Sequence, residues 1–366
     1  MKKIIISVTT DLISDQRVHK MSTTLHNSGY DVLLVGRKLN NDFFSKRPYG
    51  VKRFNLKFRR GFLFYMFFNI RLFIFLLFNK CDIFYANDLD TLLPNFIISK
   101  IKNKPLVYDS HELFTEVPEL IEKKNVKSFW LFLEQKIFPK LSNVITVSDS
   151  IANFYKKKYQ IDSLIIKNVP YLKSNNSSVE KEYNIQGFNP NKKNIIYQGS
   201  LNKDRGISLM IDSMAYLNAN LFIVGSGDLK KELLEYTKKK KLINKIFFLG
   251  RVPFQQLKSI TREFDLGLSF EEDTCLAYRY SLPNKIFDYL HAEIPILASD
   301  LPDISSLVIN NKIGEVLSSR NPEDIASQIR YILKNKNIYN LNLKSAKKEF
   351  CWENQEKKII ELFNNL

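Results

Sequence analysis

Lys285 and Asp288 stand three residues apart in the stretch Ser281-Leu-Pro-Asn-Lys-Ile-Phe-Asp-Tyr-Leu-His-Ala-Glu-Ile-Pro-Ile-Leu-Ala-Ser-Asp300. On a helix that spacing is one face, and Pro283 suits the first turn, where a missing N–H is no loss. Near the positive end of a helix, such a face could hold a diphosphate and a ribose hydroxyl together. It also suits the solvated side of a core helix whose buried stripe is Ile286, Phe287 and Leu290. A second cationic group, Lys203 and Arg205, lies in the loop Gln198-Gly-Ser-Leu-Asn-Lys-Asp-Arg-Gly206. A glycine-containing loop that opens a helix is a natural anion site, because free N–H groups point at the ligand. His111 and Glu112 follow an apolar run at 105–108. Open parallel sheets bind ligands beyond the carboxyl ends of their strands, so His111 is a candidate, although a lone histidine is often structural. Asn87-Asp-Leu-Asp90 reads as a loop and helix N-cap rather than a metal pair.

The elements that must position these groups follow from the rest of the chain. Apolar residues make up 45% and charged residues 25% of 366, the proportions of a globular chain long enough for two domains. The net charge of +17 implies a basic surface that nucleic acid, anionic lipid or phosphorylated substrates could answer. The cations lack interleaved aromatics, so nucleic acid is set aside. Cys81, Cys275 and Cys351 are odd in number and far apart, and His19, His26, His111 and His291 are equally scattered. Neither a disulfide framework nor a metal cluster is expected. Residues 1–8 start positively, but their apolar run is too short for a signal peptide and suits the first strand of a cytoplasmic protein.

Residues 3–8 and 31–36 read as strands around a helix marked by Val18, Met21 and Leu25, with Gly29 at its C-cap. That is a βαβ unit, hence a parallel sheet. Its first turn lacks the dinucleotide glycine fingerprint, which argues against a nicotinamide dehydrogenase. Further strands are expected at 81–86, 105–108 and 144–147, then at 194–197, 221–224, 246–250, 265–270 and 296–298. Gly225 and Gly227 imply close backbone approach, to a ligand or to a neighbouring helix. The expected division is an N-terminal Rossmann-like domain over 1–170, a linker rich in Asn, Ser and Lys over 171–193, and a C-terminal domain over 194–343. A terminal helix over 344–366 then packs back on the first domain. Residues 62–78 are the most apolar segment, flanked by Lys52, Arg53, Lys57, Arg59, Arg60 and Lys80. As a helix it would measure roughly 26 Å, short of the ~30 Å hydrocarbon core. It suits a buried core helix or one lying in an anionic membrane interface.

The motif LPNKIFDYLHAEIPILASD, with VYDSHELF near residue 110, resembles family 4 glycosyltransferases, which are retaining enzymes of the GT-B fold. The resemblance implies two Rossmann-like α/β domains with parallel sheets facing a central cleft. It further implies sugar transfer from a nucleotide-diphosphate donor to a hydroxyl, with no obligatory metal and no resident cofactor. On that basis His111, Arg205 and Lys285 carry catalysis. Gly199, Arg205, Gly225, Arg251, Asn284, Lys285 and Asp288 bind the donor, and Thr10, Asp11, Asp88 and Glu112 face the acceptor. Many relatives carry two acids separated by seven residues. Here Asp288 fills the second position and Tyr280 stands at the first, with Glu271 and Glu272 too far upstream for that register. Ser200 replaces the first basic residue of the glycine loop. The expected acceptor is a glycan or lipid-linked glycan of the cell envelope, and an anionic membrane surface is a further partner. A sugar-nucleotide epimerase of the same fold, or an inactive membrane-surface partner subunit, is the alternative.

Overall fold

Short runs of Ile, Val, Leu and Phe, buried on both faces in the inner strands, build two all-parallel sheets, as strands flanked by helices on either side require. A computed structural model describes residues 1–13, 15–39, 46–172 and 185–366, so most of the expected linker, 173–184, lies outside the described residues. The chain divides into one unit of Met1–Asn168 with Gln355–Leu366 and a second of Val169–Asn354.

The first unit contains β1 (Lys3–Ser7), β2 (Asp31–Lys38), β3 (Gly50–Asn55), β4 (Ile83–Asn87), β5 (Leu106–Ser110), β6 (Asn143–Thr146) and β7 (Leu164–Ile165). Their order is β3-β2-β1-β4-β5-β6-β7. The second contains β8 (Lys193–Gln198), β9 (Ala219–Val224), β10 (Ile246–Gly250), β11 (Leu266–Ser269), β12 (Ile296–Ala298) and β13 (Gly314–Val316), in the order β10-β9-β8-β11-β12-β13. Each sheet winds outward in both directions from a central pair, β1 beside β4 and β8 beside β11. Between the strands of that pair the order reverses, which is the place where such sheets bind ligands. The chain is thus an α/β protein built of two doubly wound parallel sheets.

Strands β3, β7 and β13 have no counterpart among the strands expected from the sequence. β3 is an edge strand with alternating exposure and two basic residues, β7 is only two residues long, and β13 is Gly-Glu-Val, so none makes an apolar run. The expected terminal helix is two helices, Asn340–Glu349 and Trp352–Asn364. The break falls at Phe350 and Cys351, where Trp352 is fully buried and its backbone N–H donates to Pro170 O at 2.8 Å. In the last turns Phe363 has no exposed surface; its ring lies 6.1 Å from that of Tyr85 and 6.0 Å from that of Tyr30. The Tyr30 hydroxyl donates to the Phe363 carbonyl at 3.0 Å. Truncating such a ring leaves a cavity, so Phe363→Ala should cost about 3–5 kcal/mol. Urea unfolding followed by circular dichroism should show the loss, and an unchanged midpoint would contradict this packing.

Candidate functional site

In the second unit the reversal point falls between β8 and β11. β8 ends at Gln198 and is followed by Gly199; β11 ends at Ser269 and is followed by Phe270 and Glu271. Glu271 has no exposed surface. Its Oε1 lies 2.5 Å from Lys285 Nζ and 3.6 Å from an Arg205 guanidinium nitrogen, and its Oε2 accepts from Ser269 Oγ at 2.6 Å. Burial disfavours the charged carboxylate, but Lys285, Ser269 and Arg205 outweigh that and hold its pKa below the usual range. Lys285 Nζ also sits 4.5 Å from the Tyr197 ring centre, and the Arg205 guanidinium 4.7 Å from that of Tyr278. Two cations on one carboxylate leave a surplus positive charge. Arg205 Nε is buried and makes no hydrogen bond among the described residues, so the guanidinium is not fully satisfied by its neighbours.

The backbone is drawn tight around this group. At Gly225, with φ +142°, an added Cβ would lie 1.8 Å from Gly199 O. At Gly199, with φ +150°, it would meet Lys285 Cε at 3.3 Å. Only glycine combines these dihedrals with that approach. Asp288 and Lys285 are turned to different residues. Asp288 Oδ2 accepts from Gln198 Nε2 at 2.7 Å, whereas Lys285 is turned inward onto Glu271. Asn284 begins the helix Asn284–Ala292 and is exposed, as are Arg251 beyond β10 and Lys203 in the loop.

The first unit has a matching cluster between β1, β4 and β5. Asp109, with no exposed surface, receives paired bonds from Arg17 Nε and Nη2 at 3.0 and 2.7 Å and a third from the Tyr85 hydroxyl at 2.7 Å. Arg17 Nη1 donates to Ile166 O at 2.7 Å. His111 lies between two carboxylates, its Nδ1 3.2 Å from Asp88 Oδ2 and its Nε2 3.4 Å from Asp109 Oδ2. Burial opposes the imidazolium, but Asp88 and Asp109 outweigh it and raise the His111 pKa well above the ordinary value. The Asp109 carboxyl is driven far down by Arg17 and His111 against its own burial. Asp90 is buried and bonded to Thr9 Oγ1 at 2.6 Å; burial and then the Asp88 charge push it up to about 7.

Asp88 occupies the N-cap position of the helix Leu89–Lys102, with φ +57°, yet its side chain does not cap. It accepts the His111 backbone N–H instead, at 2.9 Å. The acceptor-side candidates do not form one cluster. Asp88 meets His111, whereas Asp11 is bonded to Arg53 and Leu39 N, Thr10 Oγ1 donates to Asp15, and Glu112 is exposed. Asp109 and Arg17 are not singled out by the sequence, which considers Asp90 only as part of a metal pair and Glu271 only against the register of a second acid. The strand-end argument that found His111 applies equally to Glu271, one residue after an apolar run. Arg17 carries no comparable signal in its helix.

Residues 15–169 match the family described as Glycosyltransferase Family 4, and residues 178–350 that described as Glycosyl transferases group 1. An uncharacterized glycosyltransferase of Methanocaldococcus jannaschii is 26% identical over 330 residues, which cover 86% of this chain and 80% of that one. Among solved structures, sucrose-phosphate synthase from Thermosynechococcus elongatus aligns with a TM-score of 0.83 at 14% identity, over 100% of this chain and 99% of its own. Anabaena HepE in complex with UDP-glucose reaches 0.74 at 16% identity, over 100% of both. The architecture is therefore that of a GT-B glycosyltransferase. Within that class, the chain belongs to glycosyltransferase family 4.

Removing Lys285 would strand a buried carboxylate. Lys285→Met should cost about 3–5 kcal/mol, and Glu271→Gln added to it should restore much of the loss. Urea midpoints of the two single variants and the pair measure this, and strictly additive losses would contradict the pairing. The His111 ion pairs act in the opposite pH sense from a carboxylate's. Their stabilisation is full below the unfolded histidine value of about 6.5 and fades as pH rises through the raised folded value. The thermal-stability gap between the native chain and His111→Gln should therefore narrow in alkali, and a gap independent of pH would rule out the charged pair.

Proposed function

We propose that this chain is a retaining glycosyltransferase of the hexosyl type, moving a sugar from a nucleotide-diphosphate donor to a hydroxyl of a glycan or lipid-linked glycan. The observation that carries the reading is the convergence of Lys285 and Arg205 on Glu271 at the reversal point of the second sheet. As the bond from sugar to diphosphate breaks, negative charge grows on the departing oxygen. Fixed cations aimed there stabilise the transition state more than the ground state. In this reading the arginine and lysine supply the counter-charge, so no metal is obligatory, no resident cofactor is needed, and no enzymic nucleophile is invoked.

Asp288, beside Gln198, would take the ribose hydroxyls, and Gly199 and Gly225 would let the backbone approach the donor. Asn284 and Arg251 lie on its rim. His111, a cation between two carboxylates, would bond the donor sugar. Thr10, Asp11, Asp88 and Glu112 would face the acceptor. A nucleotide-sugar donor gains support from Anabaena HepE, solved with UDP and with UDP-glucose. Cell-envelope polysaccharide synthesis at the cytoplasmic face of the plasma membrane is the setting this chemistry fits.

A thermal-shift screen of nucleotide diphosphates and nucleotide sugars tests the donor site. One base should raise the melting temperature, since a ligand at a hundredfold its Kd adds about 2.7 kcal/mol. Arg205→Ala should abolish the shift. No response to any nucleotide would remove the donor assignment. With the donor identified, chelator should leave turnover unchanged, and the anomeric proton of the product, read by NMR, should keep the donor's configuration; inversion would overturn the retaining reaction.

A further inference from the structure

The helix Gly61–Phe78 packs inward along one line only, through Phe64, Phe68, Leu72 and Leu76. On its outward side Leu63, Phe67, Ile70, Ile74 and Leu77 recur at alternating steps of four and three, and all are exposed. The ends are barer still, with Phe62 68% and Phe78 81% exposed. A surface helix ordinarily turns polar residues to water on that side. The two strongly polar residues within it are occupied elsewhere. Asn69 donates to the Tyr65 and Asp90 carbonyls at 2.8 and 2.9 Å, and Arg71 to Asn55 O at 2.8 Å, with its guanidinium over the Phe54 ring.

Neighbouring helices extend the patch. Lys102 Nζ donates to the Leu76 and Asn79 carbonyls, which ties in the helix Leu89–Lys102 with Ile97 and Ile101 exposed. The Tyr65 ring lies 5.5 Å from that of Trp130, in the helix Lys124–Ile137, where Phe129 is exposed. Exposed apolar residues on three neighbouring helices mark an interaction site.

Charge decides what covers it. From residue 51 to 80 the chain has seven Lys or Arg and no Asp or Glu. Lys57, Arg59 and Arg60 are exposed at one end of the helix and Lys80 at the other. A second copy laid on this face, in either direction, would set cations against cations. An anionic bilayer offers negative headgroups to both ends and acyl chains to the stripe between them. The inward line is held by protein along its length, so the helix lies along the surface and does not cross.

We propose that this face of the first unit docks on an anionic membrane, with the outward stripe in the interfacial layer. The inference rests on the surface alone and is independent of the donor reading. Sedimentation of the full chain with phosphatidylcholine vesicles, with or without about one-third phosphatidylglycerol, tests it. The chain should pellet with the anionic vesicles only and should be released by high salt. Ile70→Ser with Ile74→Ser should keep the thermal transition and weaken vesicle binding by at least about tenfold. Arg59→Glu with Arg60→Glu, which spares the stripe, should weaken it comparably. Equal binding to neutral and anionic vesicles, or no binding to either, would overturn the proposal. So would a dimer, seen by light scattering, that the isoleucine variants abolish. Nucleotide thermal shifts should be the same in all these variants, so the two readings can fail separately.

Discussion

The site in the second unit depends on the ion pair of Glu271 and Lys285. A carboxylate with no exposed surface must find positive charge or take up a proton. Lys285 at 2.5 Å and Ser269 at 2.6 Å keep it ionised. Arg205, farther away at 3.6 Å, is drawn to the same oxygen without being neutralised by it. The result is a cationic surface whose position is set by the end of β11, not by a mobile loop. Gly199 and Gly225 bring the ends of β8 and β9 close enough to form its other wall. A side chain at either would push against Lys285 or against the neighbouring backbone.

The first unit reaches the same arrangement with different residues. Asp109 at the end of β5 plays the part of Glu271, Arg17 is its fixed cation, and His111 is the more exposed one. In both units the buried acid stands near the reversal point, and one of its cations keeps some access to solvent. Glu134 is a buried acid of a different kind. It binds Lys158, Tyr159 and Thr115, away from either reversal point, and has the character of a structural tie.

Much of the framework was legible in the sequence because parallel strands buried on both faces leave continuous apolar runs. The run at 246–250 coincides with β10, and the run at 296–298 with β12. Elements without such runs were not legible: β3 is half exposed, β7 is two residues long, and β13 interrupts its apolar character with a glycine and an acid. The kink at Phe350 and Cys351 depends on a contact with Pro170, far away in the chain. The site was legible in part. Lys285 and Asp288 share a spacing, but spacing could not show that one turns in to Glu271 and the other meets Gln198. Register along the chain puts Glu271 too far upstream, because a distance counted in residues says nothing about a loop that folds back to meet the helix. For residues 62–78 a one-dimensional pattern cannot separate core from surface. The helix has apolar residues on both sides, and only packing shows which line is covered.

Stability alone does not explain why two such clusters exist. A buried ion pair replaced by apolar residues of equal volume is often no less stable, because desolvating the charges offsets their attraction. Each unit could have closed its sheet ends with leucine, as its interior strands do. Placing Glu271 beneath Lys285 and Arg205 sacrifices nothing the fold needs and adds a cation with fixed orientation. A lysine on the surface would have had to lose side-chain entropy and reorganise its water each time charge developed nearby. Held in advance by the carboxylate, Lys285 does neither. By the same reasoning Arg17 matters although it is buried: its paired bonds fix the Asp109 carboxylate, one of the two acids that flank the His111 ring.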